Sequence, residues 1–377
     1  MPLFDVYPLY NVTPVSGKGI HVYDEKGTEY LDLYGGHAVI SIGHAHSNYV
    51  RAITEQVEKL GFYSNAIQNP LQTALADKLE MLSGCKDYNL FLCNSGAEAN
   101  ENALKLASFK TGKSRVIAFK NGFHGRTSAA VAATDNPNIV APINAQQQVV
   151  FLDFNDIENL KKELEKGDVC AVIIEFIQGV GGLDEASADF YQQVDALCKV
   201  NNTMFIADEV QSGYGRSGKF FAFQHYTVTP DIISIAKGMG NGFPIGGILI
   251  HPDIEAKHGM LGTTFGGNHL ACAAGLSVLN TIEDETLVDN VNKVSAYFIA
   301  KAKQIPQIKN IKGKGLMLGL EFDFEVGELR KKLIYNHHIF TGGAANKKLL
   351  RILPPLTIKT EHIDQFFKAL EDELSEK

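Results

Sequence analysis

The stretch that most constrains this chain runs over residues 204–250. It reads MFIADEVQSGYGRSGKFFAF and, a few residues on, PDIISIAKGMGNGFPIGG. Two apolar runs, 204–207 and 232–236, predict short buried strands, the first ending at Asp208 and the second at Lys237. In open α/β sheets ligands sit in the crevice outside the carboxyl ends of the strands, so an acid and an amine delivered there point into one site. Gly238-Met239-Gly240-Asn241-Gly242 follows the lysine, a loop open enough to admit a ligand beside the amine. A partly desolvated lysine has a lowered pKa and can condense with an aldehyde. A carboxylate facing it can keep the nitrogen of a pyridine ring protonated. A strand that ends in Lys or Asp is also ordinary surface chemistry, so other stretches must decide.

Those stretches lie in a long α/β pattern. Strands are expected at 89–93, 115–119, 148–152, 169–176, 204–207, 232–236 and 246–250, with helices at 98–111, 156–164 and 187–201 between several of them. Apolar strands alternating with helices predict a mostly parallel seven-stranded sheet covered on both faces. With 377 residues the chain exceeds what one core usually supports. The large domain is placed at 60–262, and residues 1–59 and 263–377 are expected to form a smaller α+β domain from both termini.

Composition excludes several classes. A net charge of -8 argues against a nucleic-acid or anionic-membrane surface. No apolar run is long enough to span a bilayer, and the opening MPLFDVYPLYN has neither the basic nor the apolar region of a secretory signal. Cys85, Cys93, Cys170, Cys198 and Cys272 are odd in number and form no CxxC pair, so reduced core thiols and a cytoplasmic location are expected. The histidines show no metal-ligand spacing, and no metal is expected.

Further stretches carry chemistry. Asn94-Ser95-Gly96-Ala97-Glu98-Ala99-Asn100 follows a strand and opens a helix. Small residues and free N–H groups at a helix start suit an anion, so Ser95, Gly96 and Ala97 form a candidate phosphate cup. Ser95 with Glu98 also matches a capping box, which uses the same N–H groups. Phe123-His124-Gly125-Arg126-Thr127 offers an aromatic for stacking on a flat ring and an arginine for a carboxylate. Glu175 and Arg351 are lone charges in apolar strands, where each needs a partner. Thr263 and Thr264 precede a helix start, as caps or as phosphate ligands.

Taken together, NSGAEAN, FHGRT, ADEVQSGYGRSGKFFAF, PDIISIAKGMGNGFPIGG, TTFGGN, GKGLMLGLEF and LRILPPL resemble the class-III (ω-amino-acid) aminotransferases, nearest the acetylornithine, succinylornithine and ornithine subgroup. These occur in the family's order and cover essentially the whole chain. The resemblance implies the pyridoxal 5'-phosphate (PLP) transferase fold of type I. It implies that Lys237 bonds the cofactor and moves the proton, that Asp208 partners the ring nitrogen, and that Gln211 lies near the ring hydroxyl. Phe123 is implied to stack on the ring, and Ser95, Gly96 and Ala97 to hold the phosphate. Thr264 is implied to reach the phosphate of a neighbouring subunit, hence a homodimer with shared sites. Arg126 and Thr263 match substrate-binding positions.

The implied reaction moves the terminal amine of an N-acylornithine, acetyl or succinyl, to 2-oxoglutarate, giving the semialdehyde and glutamate in arginine biosynthesis. An ornithine δ-aminotransferase or a 4-aminobutyrate-type ω-aminotransferase is the alternative. Glu175 paired with Arg351 is expected to hide the cation from one substrate and release it for glutamate. The chain departs from the family at Phe176 (usually Pro), Val180 (usually Glu), His269 (usually Pro), and His37 and Ile40 (usually Ile and Asn). The last two lie where the far end of the substrate is expected, which leaves the acyl group open.

Overall fold

The computed structural model describes residues 1–375. Its centre is a seven-stranded sheet with spatial order Asn89–Cys93, Gly246–Ile250, Ile232–Ile235, Met204–Asp208, Val169–Ile174, Arg115–Phe119 and Val149–Leu152. Gly246–Ile250 runs antiparallel to both of its neighbours, and the other pairings in the sheet are parallel.

The sheet is buried on both faces because its strands are mostly apolar on both sides. In Arg115–Phe119, Ile117 and Phe119 enter one core while Val116 and Ala118 enter the other. Phe205 and Ala207 likewise part from Met204 and Ile206. That is the period-2 alternation of a strand with two hydrophobic sides. Helix Gly96–Thr111 covers the second face through Ala99, Ala103 and Ala107, spaced four apart on one helical stripe.

Strands from both ends of the chain meet in a second sheet. Pro14–Lys18, His21–Asp24 and Glu29–Asp32 are antiparallel, and Ile339–Phe340 adds in parallel to the last of them. A turn at residues 24–27 forms because Asp24 Oδ1 accepts the N–H groups of Lys26 (2.9 Å) and Thr28 (2.8 Å). A third sheet joins Asn310–Lys314, Met317–Glu321 and Leu349–Ile352.

The boundaries differ from expectation in small ways with identifiable causes. The strand expected over 169–176 stops at Ile174, because Glu175 turns its carboxylate toward the backbone N–H groups of Gly179 in the next loop and of Phe123 in the loop after Arg115–Phe119. Asn310–Lys314 carries two lysines and a glycine among its five residues, too polar to register as a strand, and forms by pairing with Met317–Glu321. Among the described residues no helix is long and apolar enough to cross a membrane.

Candidate active site

Segments from across the chain deliver side chains to one cavity of about 330 Å³ at the carboxyl ends of the central strands. Its lining includes Ser95, Gly96, Ala97, Phe123, Arg126, Glu175, Asp208, Gln211 and Lys237, residues more than a hundred positions apart in the chain. The carboxyl end of Met204–Asp208 supplies Asp208, and Lys237 lies two residues beyond Ile232–Ile235.

Lys237 is half-buried, sits at φ +48°, and its amine has no hydrogen bond or ion pair among the described residues. A left-handed backbone at a residue with a Cβ is strained and persists only where the surroundings impose it. Burial pushes the amine pKa below the usual lysine range, and the nearby charges of Asp208 and Glu175 offset only part of that. The amine is therefore readier to be neutral, and nucleophilic, than an exposed lysine.

Asp208 is held rigidly. Its Oδ2 accepts from Asn100 Nδ2 and from His124 Nδ1, each at 2.7 Å, while Oδ1 takes only the N–H of Val210 at 3.1 Å. Oδ1 thus keeps capacity for another donor. His124 is fully buried; burial opposes its protonation, but the hydrogen bond to Asp208 and the aspartate charge win and raise its pKa. Neither Asn100 nor His124 was assigned a role from the sequence, although both stand inside the quoted stretches. The available signal was that each is a polar residue within an otherwise small or apolar motif.

The helix starting at Gly96 is capped as expected: Ser95 Oγ accepts the Glu98 N–H at 3.2 Å. Glu98 reaches back to the N–H of Asn94 (2.6 Å) rather than to that of Ser95. The N–H groups of Gly96 and Ala97 have no intramolecular partner among the described residues. A Cβ on Gly96 would come within 2.5 Å of Val210, a cavity-lining residue that the sequence reading passed over.

Glu175 and Arg351 do not pair. The Glu175 carboxylate accepts from the N–H groups of Phe123 (2.9 Å) and Gly179 (2.8 Å). Arg351 donates to the carbonyls of Gly179 and Gly343, both at 2.5 Å. The two charges therefore meet on opposite sides of Gly179, each satisfied by backbone dipoles in place of the other. Burial raises the Glu175 pKa and lowers that of Arg351. Arg351 is not part of the cavity lining, and neither are Thr263 and Thr264. Thr263 Oγ1 accepts from Gly266 N–H (3.1 Å) and Asn94 Nδ2 (3.3 Å), the role of a turn cap. Thr264 is exposed.

The residues present fit PLP. Beside the unpartnered amine, Gln211 Oε1 and Asn100 Oδ1 are buried without a hydrogen-bond partner. A Cβ at Gly179 would lie 2.1 Å from Gln211 Oε1, so a larger residue there would have to displace the Gln211 side chain. The free N–H groups at Gly96 and Ala97 suit a phosphate.

Comparison with known proteins agrees. The family model for class-III aminotransferases matches residues 6–374. The acetylornithine aminotransferase of Aquifex aeolicus is 41% identical over 98% of this chain and 99% of its own, and that of Bacillus subtilis is 37% identical over 99% and 97%. The solved ornithine aminotransferase of Toxoplasma gondii superimposes with a TM-score of 0.91 at 29% identity, covering 98% of this chain and 93% of its own. The cavity with its free amine and braced aspartate, and the match across nearly the whole length, establish that the chain belongs to the class-III aminotransferases and is a PLP-dependent transaminase.

Proposed function

We propose that the chain transfers the terminal amino group of an N-acylornithine to 2-oxoglutarate, releasing the N-acylglutamate semialdehyde and glutamate. Arg126 carries this reading. Its guanidinium is exposed on the cavity lining and has no ion pair or hydrogen bond among the described residues, so it is free to take a substrate carboxylate. A substrate whose reacting amine lies several bonds from its α-carboxylate can reach Lys237 while Arg126 holds that carboxylate. The curated relatives named for acetylornithine, at 36–41% identity, favour the acylated substrate over free ornithine, for which the solved neighbours at 29–30% identity are named.

In this reading PLP, when bound, supplies an aldehyde for the incoming amine and a protonated ring that draws electrons from the carbon losing its proton. Ser95 and the N–H groups of Gly96 and Ala97 would hold the phosphate, Phe123 would stack on the ring, Gln211 would reach its hydroxyl and Asp208 would partner its nitrogen. Lys237 would hold the cofactor through its amine and, as a neutral amine, would take and return the proton at the substrate carbon. Thr264, exposed and outside the cavity, serves a neighbouring copy, and Thr263 shapes the turn that presents it. The exposed rings of Phe62 and Phe265, with centroids 5.4 Å apart, support a homodimer whose interface covers them. A cytoplasmic place in arginine biosynthesis follows from the substrate.

The test is the visible spectrum of PLP-loaded protein titrated separately with N-acetylornithine, N-succinylornithine, ornithine and 4-aminobutyrate. One acylated ornithine is expected to bleach the cofactor band and 2-oxoglutarate to restore it; bleaching by ornithine or 4-aminobutyrate alone sinks the substrate assignment. Glutamate places its α-carboxylate beside the reacting amine and needs Arg351, whose guanidinium must let go of the Gly179 carbonyl. Replacing Glu175 by Gln removes the charge that holds Gly179 from the other side. We expect this variant to change the ratio of the two half-reaction rates about tenfold. Single-turnover kinetics with each amino donor would measure it, and an unchanged ratio would refute the role.

A further inference from the structure

Lys237 is carried by a glycine-rich loop whose apolar anchor is the buried Met239. Residues 238, 240 and 242 are glycines, and the loop's own turn bonds are Met239 N–H to Ala236, Gly240 N–H to Lys237 and Phe243 N–H to Gly240, at 2.9–3.1 Å. A second segment, residues 35–43, is laid against it from nearly two hundred positions away. That segment opens with four successive left-handed residues, Gly35, Gly36, His37 and Ala38, at φ between +55° and +67°. Its start is fixed by Asp32, whose Oδ1 takes the N–H groups of Tyr34 (3.0 Å) and Gly35 (2.8 Å).

The two segments are sewn together chiefly by the side chain of Asn241. Asn241 is buried, and its Oδ1 accepts from the N–H groups of Ser41 (2.9 Å) and Ile42 (3.0 Å). Its Nδ2 donates to the Gly43 carbonyl at 2.9 Å. Ser41 Oγ adds a bond to the Gly238 carbonyl at 2.7 Å, one residue beyond Lys237. Asn241 itself sits at φ +46°, a conformation that Asn tolerates better than most residues. The same segment touches the cofactor pocket at another point, because the His37 carbonyl accepts Gln211 Nε2 at 3.1 Å. It is also tied to the stretch after Leu349–Ile352 by the Leu356 N–H to the Ser41 carbonyl, at 2.7 Å.

We propose that Asn241 is a positioning residue for Lys237: its amide locks the lysine loop onto residues 41–43 and so fixes the amine relative to Asp208 and Gln211. A buried amide with both lone pairs of its oxygen used and its nitrogen donating has no freedom to shift alone, so the loop it belongs to inherits the rigidity of the second segment. Misplacement of a reacting group by an ångström is enough to cost large factors in rate. This inference rests on Lys237 as the residue that bonds PLP.

The experiment uses full-length protein stripped of PLP and follows uptake of added PLP by visible absorbance across pH. Asn241→Gly removes the amide while leaving a residue that accepts φ +46° without strain. The groups facing the amine are Asp208, Glu175, Arg351 and His37, and none of them is altered. Loosening the loop lets water reach the amine, so the pH midpoint of uptake is expected to rise by about one unit, with uptake about tenfold slower below the midpoint. PLP release during dialysis is expected to quicken as well. Ser41→Ala, which deletes only the Gly238 bond, should move both readouts in the same direction by less. An Asn241→Gly profile that superimposes on wild type overturns the proposal, and so does a lowered melting temperature with midpoint and release unchanged. Lys237→Ala run alongside separates the two claims. If it still captures PLP in a form that borohydride fixes to the chain, the assignment of Lys237 fails; if it does not and Asn241→Gly behaves as wild type, only the role of Asn241 fails.

Discussion

Replacing Lys237 by alanine is expected to reduce transamination by at least about 10⁴-fold while leaving the PLP-free chain as stable as wild type or more so. The loss follows from the absence of another lysine in the cavity lining among the described residues: Arg126 has a guanidinium, which neither loses its proton nor attacks an aldehyde at neutral pH, and His124 is engaged with Asp208. The stability gain follows from what the fold does to this lysine. The amine is buried with no hydrogen bond, so its pKa is lowered in the folded chain relative to the unfolded one. Between the two values the unfolded state binds more protons, so the cost of holding a charged amine grows as pH falls from the unfolded value of about 10.4 toward the folded one. Alanine removes that cost. Both residues carry a Cβ, so the strain at φ +48° is common to both and cancels. Thermal unfolding of the two PLP-free proteins should show the variant at or above wild type near neutrality, the gap closing as pH rises toward 10. A variant less stable than wild type throughout would mean that the amine has a stabilising partner in solution.

This residue also shows how far sequence reasoning reaches. Lys237 and Asp208 were legible because short apolar runs predict strands, and strand ends in an α/β sheet converge on one crevice. The seven strands were legible for the same reason, each a short, mostly apolar run. What escaped is what depends on long-range side-chain contact. Asn100 and His124 read as a helix residue and a loop residue, and only the packing of their segments brings both to within 2.7 Å of one aspartate oxygen. Glu175 and Arg351 were correctly singled out as buried charges needing partners, yet the partners are backbone groups of Gly179, Phe123 and Gly343. Periodicity cannot foresee that, because a peptide group is present at every position. Asn241 was hidden among glycines, where its side chain looked like loop filler. The polar strand Asn310–Lys314 is made by its neighbour rather than by its own residues.

The His124–Asp208 pair makes Asp208→Asn the second large effect. The change is isosteric, but an amide has a single acceptor oxygen, so either the Val210 bond or the Asn100 bond is lost, and the carboxylate is gone from both of its tasks. Toward the cavity, an amide cannot keep a ring nitrogen protonated, and removing one preorganised electrostatic contact of this kind costs about 10²–10³-fold in kcat. Toward the core, a fully buried imidazole loses its charged partner. Breaking a buried pair by removing one member costs roughly 3–5 kcal/mol. The pH dependence separates the two losses. The raised pKa of His124 in the folded protein contributes stability that is fully present below the unfolded value of about 6.5 and is lost as pH rises through the folded value. The melting-temperature gap between wild type and Asp208→Asn should therefore be widest in mild acid and narrow with rising pH, whereas the loss of kcat should persist after the gap has narrowed. His124→Asn isolates the core contribution, since it leaves the carboxylate facing the cavity. Its activity should fall by less than that of Asp208→Asn, and equal losses would place the whole effect in the positioning of the aspartate rather than in its charge.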